Sequence, residues 1–202
     1  MNNPENKKWS TSEDFKKGDI IIDGVTLGKT TLAELRNRGV KIDKEDMTGK
    51  STVYFAHLGD DDMAIGLISR YTNKDLVENK QLSSSAKQAL LKLYNYVFSL
   101  VISLDMWNDC PLCSAIGIRP YNEDGDFDFD EISDLLEELG YIRIENVQNP
   151  DMSECMEFVH RVPNCNGDYV FVSLDTTQGL MYFSVNSASE CTSYVTGETF
   201  TV

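Results

Sequence analysis

The chain has 202 residues, 41% of them hydrophobic and 25% charged. This is ordinary globular usage and excludes a wholly disordered, collagenous or membrane-spanning chain. Eighteen basic against 33 acidic side chains leave a net charge of -15, which disfavours direct contact with nucleic-acid phosphates or anionic lipid and suits a basic protein partner.

Residues 1–17 are polar, with Asn2, Asn3, Lys7 and Lys8 and no apolar run. The sequence as written therefore carries no signal peptide and points to the cytoplasm, although a processed secreted or cell-envelope protein would read the same way. Next, Asp19-Ile-Ile-Ile-Asp-Gly-Val-Thr-Leu predicts a hairpin, because an Asp-Gly pair supplies the positive-φ positions of a tight turn. A short helix follows, capped by Thr30 or Thr31, with Leu32 and Leu35 on one face and Gly39 as its stop. Residues 53–57 and 63–69 are apolar runs on either side of Gly59-Asp60-Asp61-Asp62, a hairpin with a solvated tip.

The most apolar stretch, residues 90–104, is about five residues short of a bilayer span. Ala86, Ala89, Leu90, Leu93, Val97, Leu100, Val101 and Leu104 recur at intervals of three and four, which predicts a long buried helix over residues 84–105.

The second half parallels the first. Gly24 precedes Gly39 by fifteen residues, as Gly125 precedes Gly140. Between the later pair, Ile132, Leu135, Leu136 and Leu139 make a helical stripe. Residues 141–147 read as a strand, and Phe158-Val159-His160 echoes Phe55-Ala56-His57. Residues 169–174 and 180–185 add two further strands. The expected fold class is α+β, with two tandem helix-plus-antiparallel-sheet units, an internal duplication, joined by the long buried helix. The divisions are a polar tail (1–18), a first unit (19–82), the connecting helix (83–108) and a second unit (109–202).

The run 19–27 with Leu32, Leu35 and Gly39-Val40, followed by the hairpin of residues 169–185, resembles small secreted proteins and lipoproteins of Gram-positive bacteria that lack an assigned activity. The resemblance implies a non-enzymatic helix-plus-sheet module and supplies no catalytic residue. The signal and lipid-attachment cysteine of that group are not in the sequence as written.

Several motifs bear on chemistry. Gly28-Lys29-Thr30 has the residues of a phosphate-binding loop, but Gly24 to Gly28 encloses three residues where four are needed. Asp126, Asp128, Asp130, Asp134 and Glu137 match calcium-hand positions, yet Glu131 stands where the bend needs glycine, so Asp128 or Asp130 reads as a helix cap. Cys110-Pro-Leu-Cys113 has the spacing of a redox dithiol or half a zinc site, with Cys155, His160, Cys165 and Cys191 as further ligands. It reads as following a helix end beside Asp105 and Asp109, a setting that raises thiol pKa values. His57 and His160 lie in strand patterns without a catalytic context.

Residues 121–157 hold thirteen acids and one base, Arg143. The sequence therefore leads to a non-enzymatic acidic protein, without cofactor or metal, that docks on a basic partner as an inhibitor, immunity protein or nucleic-acid mimic does. The contact residues would be Glu123, Asp124, Asp126, Asp128, Asp130, Glu131, Asp134, Glu137 and Glu138. The alternatives are a zinc- or disulfide-stabilised protein centred on Cys110 and Cys113, or a cell-envelope module. Oligomeric state is not legible.

Overall fold

The computed structural model describes residues 8–47, 51–71, 96–119, 128–144, 155–164, 167–175, 178–186, 190–192 and 199–201. Its centre is one antiparallel sheet of eight strands. Four come from the first half: β3 (Ile42–Met47), β4 (Ser51–Leu58), β5 (Ala64–Tyr71) and β6 (Ser99–Ser103). Four come from the second: β7 (Tyr141–Ile144), β8 (Cys155–His160), β9 (Tyr169–Asp175) and β10 (Leu180–Asn186). The order across the sheet is β3-β4-β5-β6-β10-β9-β8-β7, so each half runs from an outer edge to the middle and the halves join where β10 pairs with β6. The structure is mixed helix and sheet, as expected. Among the described residues no helix is long and apolar enough to cross a membrane.

The local elements follow from short-range chemistry. In the small hairpin β1 (Ile21–Ile22) and β2 (Val25–Thr26), Asp23 and Gly24 take φ of 47° and 72°, the doubly left-handed turn that fits strand twist. Asp23 Oδ2 accepts from the Gly59 amide at 2.9 Å, and Arg38 donates to the Asp23 and Gly24 carbonyls at 2.8 and 3.1 Å. These bonds tie the hairpin to the β4–β5 turn and to the helix end. Two helices begin with a capping box, in which side chains satisfy the orphan amides of the first turn. They are α1 (Ser12–Phe15), with Thr11 and Asp14, and α2 (Leu32–Asn37), with Thr31 and Glu34. Bonds from the Thr31 amide and hydroxyl hold the Glu34 carboxyl below the usual glutamate range. Beyond α2, Gly39 turns the chain at φ 73°.

The long helix expected over residues 84–105 is not what its later part forms. Residues 84–95 lie outside the described residues, Tyr96 bridges to Thr31, and Ser99–Ser103 is the strand β6. The run Val97-Phe98-Ser99-Leu100-Val101-Ile102 is almost continuously apolar, and such a run matches a strand covered on both faces as well as a buried helix. Its β-branched content and its place between β5 and β10 decide for strand. A 3-10 turn (Leu104–Asp109) and the helix α3 (Pro111–Ile116) follow, then α4 (Phe129–Glu138) leads through Gly140 into β7. A further hairpin pairs β11 (Glu190–Thr192) with β12 (Thr199–Thr201).

Strand register orders the core. Ile42, Ala56, Gly66, Leu100, Phe183, Val172, Phe158 and Arg143 are paired in succession, one row across all eight strands. Directly opposed residues share a face, and Ala56, Leu100, Phe183, Val172 and Phe158 on that face are fully buried. Phe15 reaches the same core. Although residues 1–18 read as a polar tail, its ring packs 5.2 Å from Tyr141 and edge-on to Phe183 at 5.9 Å.

The same row corrects the Phe-x-His echo. Phe158 and His160 share the face of Ala56, whereas Phe55 and His57 are one residue out of phase with Ala56 and point to the opposite face. A one-residue difference in register inverts the face on which a side chain stands.

Candidate functional site

Helix α4 carries most of the described acids of residues 121–157; Glu157, on β8, is buried. Ile132 and Leu136 are buried, as is Leu139 just beyond the helix, and all three belong to the core that holds Phe158 and Phe183. The outer side presents Asp130, Glu131, Asp134, Glu137 and Glu138, all exposed. Residues three and four apart are neighbours on a helix, so Asp134 adjoins Asp130, Glu131, Glu137 and Glu138, and the five form one ridge. Among the described residues, no ion pair offsets any of the five.

The ridge is not explained by the stability of the helix. Like charges at these spacings each cost about 0.2–0.5 kcal/mol on an exposed helix. Asp130 and Glu131 lie in the first turn, where the macrodipole favours anions. Glu137 and Glu138 lie in the last turn, where it disfavours them, and no basic residue accompanies them there.

The remaining expected contacts divide in two. Asp128 is the N-cap of α4, and its Oδ1 accepts from the Glu131 amide at 3.0 Å. Glu123, Asp124 and Asp126 lie outside the described residues, so the calcium-hand spacing is described only from Asp128 onward, within the helix and its cap.

The phosphate-loop reading of Gly28-Lys29-Thr30 does not hold. The segment joins a two-residue antiparallel strand to a six-residue helix, and the Thr30 hydroxyl is turned back to accept from the Thr26 amide at 2.9 Å.

Cys110 and Cys113 are free, buried thiols. Cys110 follows the end of the 3-10 turn Leu104–Asp109, as expected, but it is at the same time the N-cap of α3, which Pro111 opens. Burial pushes both thiols up, and for Cys113 the neighbouring Cys110 adds to the effect. The expected direction stands, but burial rather than Asp105 or Asp109 is its cause. Cys113 Sγ and Trp107 Nε1 both donate to the Ile118 carbonyl at 2.8 Å, a structural closure of the turn around α3. Among the described residues, no group of three or more His, Cys, Asp or Glu side chains could hold a metal ion.

Both histidines are engaged. His57 Nε2 lies 2.8 Å from Asp43 Oδ2, and Nδ1 lies 3.1 Å from Asp62 Oδ2 but out of hydrogen-bond alignment. The sequence had not linked Asp43 and Asp62 to His57; the register that places Lys41 beside His57 and the Asp60–Asp62 turn does so. His160 is buried, with Nδ1 at 2.7 Å from the Val162 carbonyl and Nε2 at 3.0 Å from the Lys16 carbonyl. Its ring stands edge-on to Tyr141 at 4.8 Å. These contacts fix β8 to the segment after α1 and leave His160 without access to a substrate.

The chain matches no protein-family model, no curated protein and no solved structure.

Proposed function

We propose that the protein is a non-enzymatic interaction module whose α4 ridge docks on a basic surface of a partner protein. The observation that carries this reading is the placement of Glu137 and Glu138 beside Asp134. All three are exposed, and Glu137 and Glu138 stand at the unfavourable end of a helix whose opposite side is anchored in the core. Concentrated negative potential on a rigid element steers a cationic partner and favours the matching orientation. Inhibitors, immunity proteins and nucleic-acid mimics all work through such a surface.

We further read the two halves as copies of one helix-plus-four-strand unit. In support, Gly39 precedes Ile42 by three residues and Gly140 precedes Arg143 by three, and Ile42 and Arg143 end the same row on opposite edges of the sheet. A centre on Cys110 and Cys113 has less behind it, since both thiols are buried and disfavoured as thiolates.

The test is affinity capture from the source cell at low salt, using the intact chain and a variant with Asp130, Asp134, Glu137 and Glu138 changed to Asn or Gln. The reading expects a basic protein retained by the intact chain, released by salt and not retained by the variant. Retention that neither salt nor the substitutions alter would overturn it.

A further inference from the structure

The two edges of the sheet differ. β3 reads Ile-Asp-Lys-Glu-Asp-Met, four charges in six residues, and charge on an edge strand blocks the addition of another strand. β7 reads Tyr-Ile-Arg-Ile and, among the described residues, has a neighbouring strand on one side only. The two exposed large hydrophobic residues of the described chain both lie at this edge: Ile142 is 42% exposed on β7, and Val162 is 55% exposed just beyond β8. The β7–β8 ladder continues to Gly140 and Arg161, whose amide donates to the Gly140 carbonyl at 3.0 Å, which brings Val162 to the end of α4.

We propose that β7 accepts an extended segment of a basic partner as a ninth strand, with apolar side chains against Ile142 and Lys or Arg at the alternate positions. This rests on the reading of α4 given above and adds the partner's chemistry to it. Successive residues of an added strand face opposite sides of the sheet. One side is that of Ile142. The other is the core side, which carries Tyr141, Arg143 and the flanking α4. A cation opposite Arg143 is repelled by it, so in the alternating segment the attraction comes chiefly from the cation opposite Tyr141, two residues away on the same face and towards Glu137 and Glu138 at the end of α4 that leads into β7. A second copy of this chain is a poor occupant, because it would bring a further net charge of -15 and a second acidic ridge to the same edge.

The experiment uses the full chain and four peptides: Lys-Val-Lys-Ile-Lys-Val-Lys, a block arrangement of the same residues, the alternating peptide N-methylated at every second residue, and an alternating Glu version. Binding is measured together with hydrogen exchange at the Tyr141–Ile144 amides. The proposal expects the alternating Lys peptide to bind about tenfold tighter than the block or N-methylated forms, to slow exchange in β7, and to weaken by a similar factor in Ile142→Ser. It is overturned if the Lys peptides bind alike, if protection falls elsewhere, or if β7 becomes protected simply on raising the chain concentration. Loss of all Lys-peptide binding in Glu137→Gln/Glu138→Gln, with Ile142→Ser unchanged, defeats the strand addition and leaves the acidic surface standing. Tight binding of the alternating Glu peptide defeats the acidic-surface reading instead.

Discussion

Ala56 on β4 and Phe158 on β8 stand in one row of the sheet, five strands apart, and both are fully buried. The row links the two halves of the chain through Leu100 and Phe183, so a change at Phe158 is felt by a core that both halves share. The small members of the row, Ala56 and Gly66, lie in the first half. A methyl group at Gly66 would meet Val97 Cγ1 at 3.4 Å and Leu58 Cδ1 at 3.5 Å, so neighbouring side chains fill the space above Gly66, while the aromatic members Phe183 and Phe158 lie in the second half.

Phe158→Ala removes a fully buried ring from this row and is expected to cost about 3–5 kcal/mol. Chemical denaturation followed by both near- and far-ultraviolet circular dichroism checks it, and the two signals should move together. A shift below about 1 kcal/mol would contradict the row's central place in the core.

The last turn of α4 sets binding against stability. Glu138→Lys places a cation where the helix end favours one and removes a repulsion with Asp134. It is expected to stabilise the fold by about 0.3–1 kcal/mol while weakening attachment to a basic partner. Thermal melts and partner binding measured on the same variant separate the effects; loss of stability would show that Glu138 has a structural role.

Tyr141 gives the fold an alkaline limit. Burial, and then the charge of Asp19, hold its phenol protonated well above the usual tyrosine range, and its hydroxyl donates to the Phe15 carbonyl at 3.4 Å. Because the native state retains the proton more tightly than the unfolded chain, this contribution is complete below about pH 10 and is lost as pH rises above it. Denaturation midpoints between about pH 9 and 12 should fall more steeply for the intact chain than for Tyr141→Phe, which loses about 1 kcal/mol at neutral pH. Parallel curves would refute this.

The thiols should be inert in the folded chain. With Cys110 and Cys113 buried and both pushed towards the neutral thiol, iodoacetamide at about pH 8 is expected to leave them unmodified until denaturant is added. Peptide mapping by mass spectrometry reads the outcome, and rapid native labelling of Cys110 would contradict the burial.

Much of the local structure was legible because local chemistry determines it. Asp23-Gly24 names its turn, Gly39 and Gly140 end their helices, and Ile132, Leu136 and Leu139 announce α4. Thr11 with Asp14 and Pro111 with Gly117 carry start and stop signals of the same kind, but α1 and α3 are too short to show a helical period beside them. β6 misled because a strand covered on both faces has no alternation to read. The opposite facing of His57 and His160 depends on strand register, which no local motif encodes. At the site, the carboxylate ridge was visible as composition. The capping role of Asp128 was legible as one of two local candidates, whereas the ring contacts of His57 and the exposed β7 edge required the pairing of distant strands.

The most direct test is the affinity of the captured partner for the intact chain, measured by calorimetry across salt concentrations from about 0.05 to 0.5 M, where the screening length shrinks from roughly 14 Å to 4 Å. Docking through the α4 carboxylates predicts a steep loss of affinity over that range, and a much flattened dependence once Asp134, Glu137 and Glu138 are neutralised. Affinity that stays constant across the range, or a slope that survives neutralisation, would contradict the account.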